Sequence, residues 1–123
     1  MVDFVYARVF AADDGHSDFE DVAVPFDGLL EAPPAEPAEL ATIGPARRVA
    51  VMRAGRDWGG EALHPAPARQ MFTVLAGAWQ VTTSRGLTRR FDVGQSLLAD
   101  DLTGQGHSSR ALVDGSLALV TVL

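Results

Sequence analysis

The stretch LHPAPARQMFTVLAG, residues 63–77, decides the fold. A histidine, two prolines and a glutamine stand ahead of an alternating apolar run that stops at Gly77. From Gln70 onward, Phe72 and Val74 share one side of a strand by its period of two, and Met71 and Thr73 share the other. A glycine inside such a pattern marks a bulge or a barrel corner. The run resumes as AWQVTTS to Ser84. Residues 70–84 are therefore long enough for two strands, or for one strand bent at Gly77.

The same reading extends in both directions. DFVYARVF (3–10) alternates and ends at the turn signal DDG. DVAVPF (21–26) reads as a short strand that Pro25 pushes towards a sheet edge. RRVAVMRAG (47–55) sets Val49, Val51 and Arg53 against Ala50, Met52 and Ala54. SRG (84–86) turns the chain into LTRRFDVG, QSLLAD (95–100) follows, and SLALVTVL (116–123) comes after the DG turn at 114–115. Strands every eight to twelve residues, with turns between them, define an all-β sandwich or barrel. No segment keeps a 3.6-residue apolar period over helical length. The exception to the strand rhythm is LLEAPPAEPAELATIGP (29–45), whose prolines block helix and central strand alike. It reads as an extended surface connection, or as a lid over an opening.

Composition bounds the function. The chain has 123 residues, enough for one domain with one core. Its net charge is −6, and all 10 basic residues are arginine. An acidic chain with scattered arginines lacks the concentrated basic surface that nucleic acid needs. Without lysine there is no Schiff-base catalysis by that residue, and without cysteine there is no disulfide, thiol nucleophile or thiolate metal site. No apolar run reaches the roughly 20 residues that span a bilayer. The first residues carry acids and no basic-then-apolar leader pattern, so the expected location is the cytoplasm.

From Gly59 onward the order of features resembles the cupin superfamily. The family's first motif has the form G-x5-H-x-H-x3,4-E-x6-G. Here Gly59, His64, Ala66, Gln70 and Gly77 stand in its places. Gly59 stands one residue closer to His64 than the pattern wants, Ala66 replaces a histidine, and Gln70 replaces the glutamate. The second motif has the form G-x5-P-x-G-x2-H-x3-N. Gly94 fits its start, Asp100 stands at the proline, and the histidine arrives two residues late as His107, within DDLTGQGHSSR. The longer loop resembles a subset of small bacterial cupins with D-x-T-G-x-G-H at this point. The resemblance implies a single-domain jelly-roll β-barrel over residues 1–123, with a pocket at one end and a homodimer formed by strand exchange or sheet packing.

It also implies that His64, Gln70 and His107 point into the barrel mouth. A complete cupin set holds a divalent metal through three imidazoles and a carboxylate. This chain keeps two imidazoles and a neutral amide, so a metal site on His64, Gln70 and His107 (iron, zinc, nickel or manganese) needs Asp100, Asp101 or Glu61 to turn inward. Two histidines and one carboxylate would suit a non-haem iron oxygenase. A second route needs no metal. His64 and His107 move a proton between two atoms of a small-molecule substrate, Asp100 or Asp101 holds a tautomer, and Gln70 orients a carbonyl. Isomerase, cyclase or lyase chemistry follows from that arrangement. A third is a non-catalytic ligand-binding protein, in which His64 only caps a strand and His107 anchors a glycine-rich loop.

The remaining candidates are contacts. Trp58 serves as an aromatic wall for a flat ligand or as core packing. Phe72 and Val74 form the apolar wall beside Gln70. Arg53 and Arg110 reach an anionic substrate or sit on the surface. Trp79 belongs to the core or to a dimer interface. His16, in DDGHSDFED, reads as a solvent-exposed turn residue.

Overall fold

The computed structural model describes residues 2–123. The chain is all-β, with a jelly-roll arrangement of two facing sheets, and no helix occurs among the described residues. No helix is therefore long and apolar enough to cross a membrane. The strands are β1 (Phe4–Ala11), β2 (Ser17–Val24), β3 (Gly28–Leu30), β4 (Ala38–Leu40), β5 (Arg48–Ala54) and β6 (Gln70–Ala76). They continue as β7 (Ala78–Thr83), β8 (Thr88–Asp92), β9 (Ser96–Asp100), β10 (His107–Ala111) and β11 (Ser116–Val122).

A six-stranded sheet runs β2-β1-β9-β6-β11-β5, and a three-stranded sheet runs β10-β7-β8. Among the described residues only the β1–β9 pair is parallel. Among the described residues these two sheets remain separate and do not close into a ring, and β3-β4 form a third, two-stranded sheet. The core lies between them. Val9, Val74, Leu97, Ala99 and Ala118 come from the large sheet and Trp79, Val81, Phe91 and Ala111 from the small one, all buried. Period-two alternation sends Tyr6, Met71 and Leu98 to the opposite face of the large sheet, where they form a second cluster with Phe4, Val22, Val24 and Leu123.

Gly77 is the joint between the sheets. It ends β6 in the large sheet and starts β7 in the small one at a φ of 71°. A side chain there would collide with Ser116, so only glycine lets the chain change layers at this point. Residues 70–84 are thus two strands.

Three strands and one strand start escape a local reading. β10 is the polar run HSSRA, specified by its antiparallel partner β7 rather than by its own composition. β3 and β4 form a small hairpin within the proline-rich connection, where a purely extended passage was expected. β2 begins at Ser17, earlier than the apolar pattern from Asp21 indicates, because it pairs residue by residue with β1.

Candidate functional site

One cavity of about 180 Å³ lies between the inner faces of the two sheets, and it contains both candidate histidines. Its wall includes Met52, Trp58, Ala66, Phe72, Trp79, Val81, Leu97 and Val120, with His64, Gln70, His107 and Ser109 as the polar members. A more open groove of about 390 Å³, beside Tyr6, Arg89 and Gln95, contains none of these residues.

The backbone of two distant segments clamps the histidines together. His64 N–H donates to His107 O at 2.9 Å, and His107 N–H donates to His64 O at 3.0 Å. Residues that exchange both bonds across an antiparallel pair put their side chains on the same face. The two imidazole rings accordingly lie 5.1 Å apart, centre to centre, tilted by 53°. Ala66 N–H donates to Asp101 O at 3.0 Å and extends the clamp. Gly106 makes the approach possible. Its φ is 77°, and an added Cβ would run into the His64 carbonyl and the Pro65 nitrogen. Gly104 packs against Gly15 in the same manner, and Ser17 Oγ donates to Gly106 O at 2.7 Å. The 103–106 loop is therefore held from both sides. His16 serves that support: its Nδ1 lies 3.0 Å from Ser84 Oγ, so it is half-buried rather than free in solvent.

The two aspartates separate. Asp100 turns to the outer face, where Arg8 Nε donates to its Oδ2 at 2.9 Å and Arg69 Nε lies 3.4 Å from Oδ1. The Arg8 guanidinium loses solvent there, which opposes its charge. Its hydrogen bonds to Glu20 and Asp100 outweigh that loss and raise its pKa. Asp101 turns inward and is 0% exposed. Its Oδ2 accepts the Nδ1–H of His107 at 2.6 Å. His107 is 5% exposed, whereas His64 is exposed at the cavity mouth. With Nδ1 donating to Asp101, the other nitrogen of His107, Nε2, is left for the cavity. Asp101 Oδ1 and Trp79 Nε1 are buried without hydrogen-bond partners among the described residues.

The aromatic wall is continuous. Trp79 stacks edge-on with Phe72 at 4.9 Å and with Trp58 at 6.1 Å. Trp79 is 1% exposed and closes the inner end, while Trp58 is 50% exposed at the rim. Trp58 is held there because Asp57 N–H donates to Ala111 O and Trp58 O accepts from Ala111 N–H. Gly59 crosses Ser109 so closely that no side chain fits. Trp79 thus belongs to both core and cavity, a role its place in the sequence did not single out. Val74 lies one step deeper, buried in the core and outside the lining. Arg53 also lies outside it, because Met52 takes the inward place on β5 and the adjacent residue faces the other way. Arg110 faces Asp57, 3.7 Å away, on the outer side of the small sheet. No residue of 29–45 lines the cavity.

For a divalent metal the converging donors are two imidazoles and a neutral amide. Asp101 is engaged behind His107, Asp100 is held by two arginines, and Glu61 borders a different groove. Among the described residues no group of three His, Cys, Asp or Glu side chains converges. The residues present do not fit an anionic metal centre. No protein-family model matches the chain, and neither does any curated protein.

Proposed function

We propose that the chain is a small jelly-roll enzyme of cupin type that moves a proton within a small, mostly apolar molecule. The observation that carries the reading is the buried Asp101 carboxylate on Nδ1 of His107, with the rest of that imidazole lining an apolar cavity beside a second imidazole. A carboxylate in this position holds one tautomer and keeps the Nε2 lone pair available as a base. His107 takes a proton from carbon next to a carbonyl. The C–H bond breaks, its electrons move to the carbonyl oxygen, and the Gln70 amide donates a hydrogen bond to that oxygen. His64, at the mouth, gives its own proton to a second carbon as the electrons return from oxygen to re-form the carbonyl. The proton left on His107 then passes to His64, 5.1 Å away ring to ring, so that both imidazoles end as they began. The sequence of steps is an isomerisation without change of oxidation state; cyclisation and elimination use the same groups. Apolar cavities of about 150 Å³ accept a benzene ring, so one six-membered ring matches the enclosed volume. We keep a cytoplasmic location as part of this proposal.

The test uses cyclohex-3-en-1-one, a single-ring ketone whose isomerisation to the conjugated enone is read by ultraviolet absorbance. The chain's two tryptophans both line the cavity, so quenching of their fluorescence reports occupancy. Binding with acceleration over free imidazole is the expected result, with a loss of about a hundredfold or more for His107→Ala. A bound ketone with no acceleration, or an unchanged rate in His107→Ala, leaves only a ligand-binding protein. Stoichiometric iron in the purified protein, removed together with activity by a chelator, overturns the proposal in favour of an oxygenase-type centre.

A further inference from the structure

Among the polar members of the cavity wall, proton transfer employs His64, Gln70 and His107 and leaves Ser109 without a task. Ser109 stands two residues after His107 on β10, so period two sends both side chains to the inner face. Its register partner on β7 is Val81, another wall residue. The other side of β10 is fixed as well. Asp57 and Trp58 exchange backbone hydrogen bonds with Ala111, and Gly59 passes against the Ser109 carbonyl. Ser109 therefore presents its hydroxyl from a rigid position, as a group that reads a ligand must.

That hydroxyl has no structural employment. Ser17, Ser96 and Ser116 bond within the protein, to Gly106 O, Thr73 Oγ1 and Val113 O. Ser109 Oγ makes no such bond among the described residues, and neither does the Gln70 amide. Both residues are half-buried in a wall that is otherwise mostly apolar. A ring that fills such a cavity expels water, and a wall hydroxyl left without a partner then penalises that ligand. A ligand with a matching oxygen escapes the penalty. A site of this kind rejects the analogue lacking the oxygen more strongly than an apolar wall separates two hydrocarbons.

The two groups also fix where the oxygens of a ligand belong. Gln70 projects from β6 of the large sheet on the face of Phe72, and Ser109 projects from β10 of the small sheet. Facing sheets stand about 10 Å apart. Groups on opposite walls reach opposite ends of one six-membered ring, and not two adjacent ring positions.

We propose that the substrate is a six-membered cyclic ketone with a second oxygen, hydroxyl or keto, across the ring from its carbonyl. Gln70 takes the carbonyl and Ser109 hydrogen-bonds the far oxygen. Ser109 is a specificity residue and takes no part in moving the proton. The inference rests on reading the cavity as a ring-ketone site, but its test needs binding alone.

The probes are cyclohexanone and 4-hydroxycyclohexanone, which differ by one oxygen. Both are titrated into the full chain, with binding read from the fluorescence of Trp58 and Trp79. Wild type should bind the hydroxyketone at least about fivefold more tightly. In Ser109→Ala the ratio of the two affinities should fall to within about twofold of one. A change in packing alone would move both ligands alike and leave the ratio standing. The wild-type ratio remains a test even where the variant does not fold. Equal affinities in wild type, a preference that survives Ser109→Ala, or a cavity that binds neither ketone would each overturn the proposal. Isomerisation of cyclohex-3-en-1-one is scored apart. Turnover without a preference for the hydroxyketone removes only the oxygen-reading role of Ser109, whereas a Ser109-dependent preference without turnover removes only the proton-transfer reading.

Discussion

The clamp around the histidines and the arm at 28–40 are built from the same kinds of residue, and they behave in opposite ways. Both are rich in proline, glycine and alanine, and both lie between long strands. In the clamp, residues 64–66 lie against 101–107, with three backbone hydrogen bonds and Gly106 at close approach. Its side chains are thereby aimed at one cavity. In the arm, the only ladder is internal and the side chains face outward. Proline and glycine thus permit a conformation without choosing one. What chooses is whether another backbone comes within hydrogen-bonding distance, and for residues 64–66 that partner is some forty positions away in the chain.

The sharpest way to break this contrast is Gly106→Ala. A methyl group there meets the His64–Pro65 backbone at a positive φ, and the expected loss is about 3 kcal/mol in urea unfolding. Gly115→Ala is its control: φ is 72°, nothing lies nearby, and the cost should stay near 1 kcal/mol. Equal effects at the two positions would mean that the clamp is not closely packed. Asp101→Asn comes next. It preserves shape but can present an amide N–H to His107 Nδ1, and isomerisation of cyclohex-3-en-1-one should fall about a hundredfold. An unchanged rate would remove Asp101 from the proton path. On the arm, Leu30→Ser should leave the thermal midpoint of dilute protein nearly unchanged, within about 0.5 kcal/mol, because its side chain is exposed. A large loss would show that the arm packs on its own chain.

The smallest effect concerns the turn that supports the clamp. The Arg85 hydrogen bond, followed by the His16 backbone N–H, holds the Asp14 carboxyl below its ordinary value of 3.8. A carboxylate lowered in the folded state adds stability above the unfolded value, and that contribution fades as pH falls through the folded one. Arg85→Ala should therefore reduce the urea midpoint slightly at neutral pH. The gap from wild type should start to narrow near the ordinary value of 3.8 and close only as pH falls through the lower folded-state value, where both states are protonated. Because the pair is fully exposed, added salt should narrow the neutral-pH gap as well.

Much of the architecture was legible because it rests on period two. The alternation in FVYARVFA, RVAVMRA and SLALVTV placed β1, β5 and β11, and Gly77 was visible as a corner before its collision with Ser116 was known. β10 was not legible, since HSSRA has no apolar alternation and is a strand only because β7 and His64 bond to its two sides. Among the site residues, His64, Gln70 and His107 were marked by type and spacing. The choice between Asp100 and Asp101 was not. Adjacent residues of a strand face opposite ways, but which way depends on where the register ends, and here Arg8 and Arg69 wait on the outer side for Asp100. Trp79 was equally hidden, because a tryptophan after a corner glycine says nothing about which cavity it closes.

By itself the sequence determined the class of fold, the absence of thiol and lysine chemistry, and the short list of groups able to carry a proton. These follow from composition and from local periodicity, which need no partner. The tertiary structure alone decided which aspartate backs His107, that two imidazoles stand 5.1 Å apart, and that Arg53 and the arm lie away from the cavity. Those are properties of pairing between distant segments, set by backbone hydrogen bonds and by the space that Gly106 leaves open, and no local pattern encodes them.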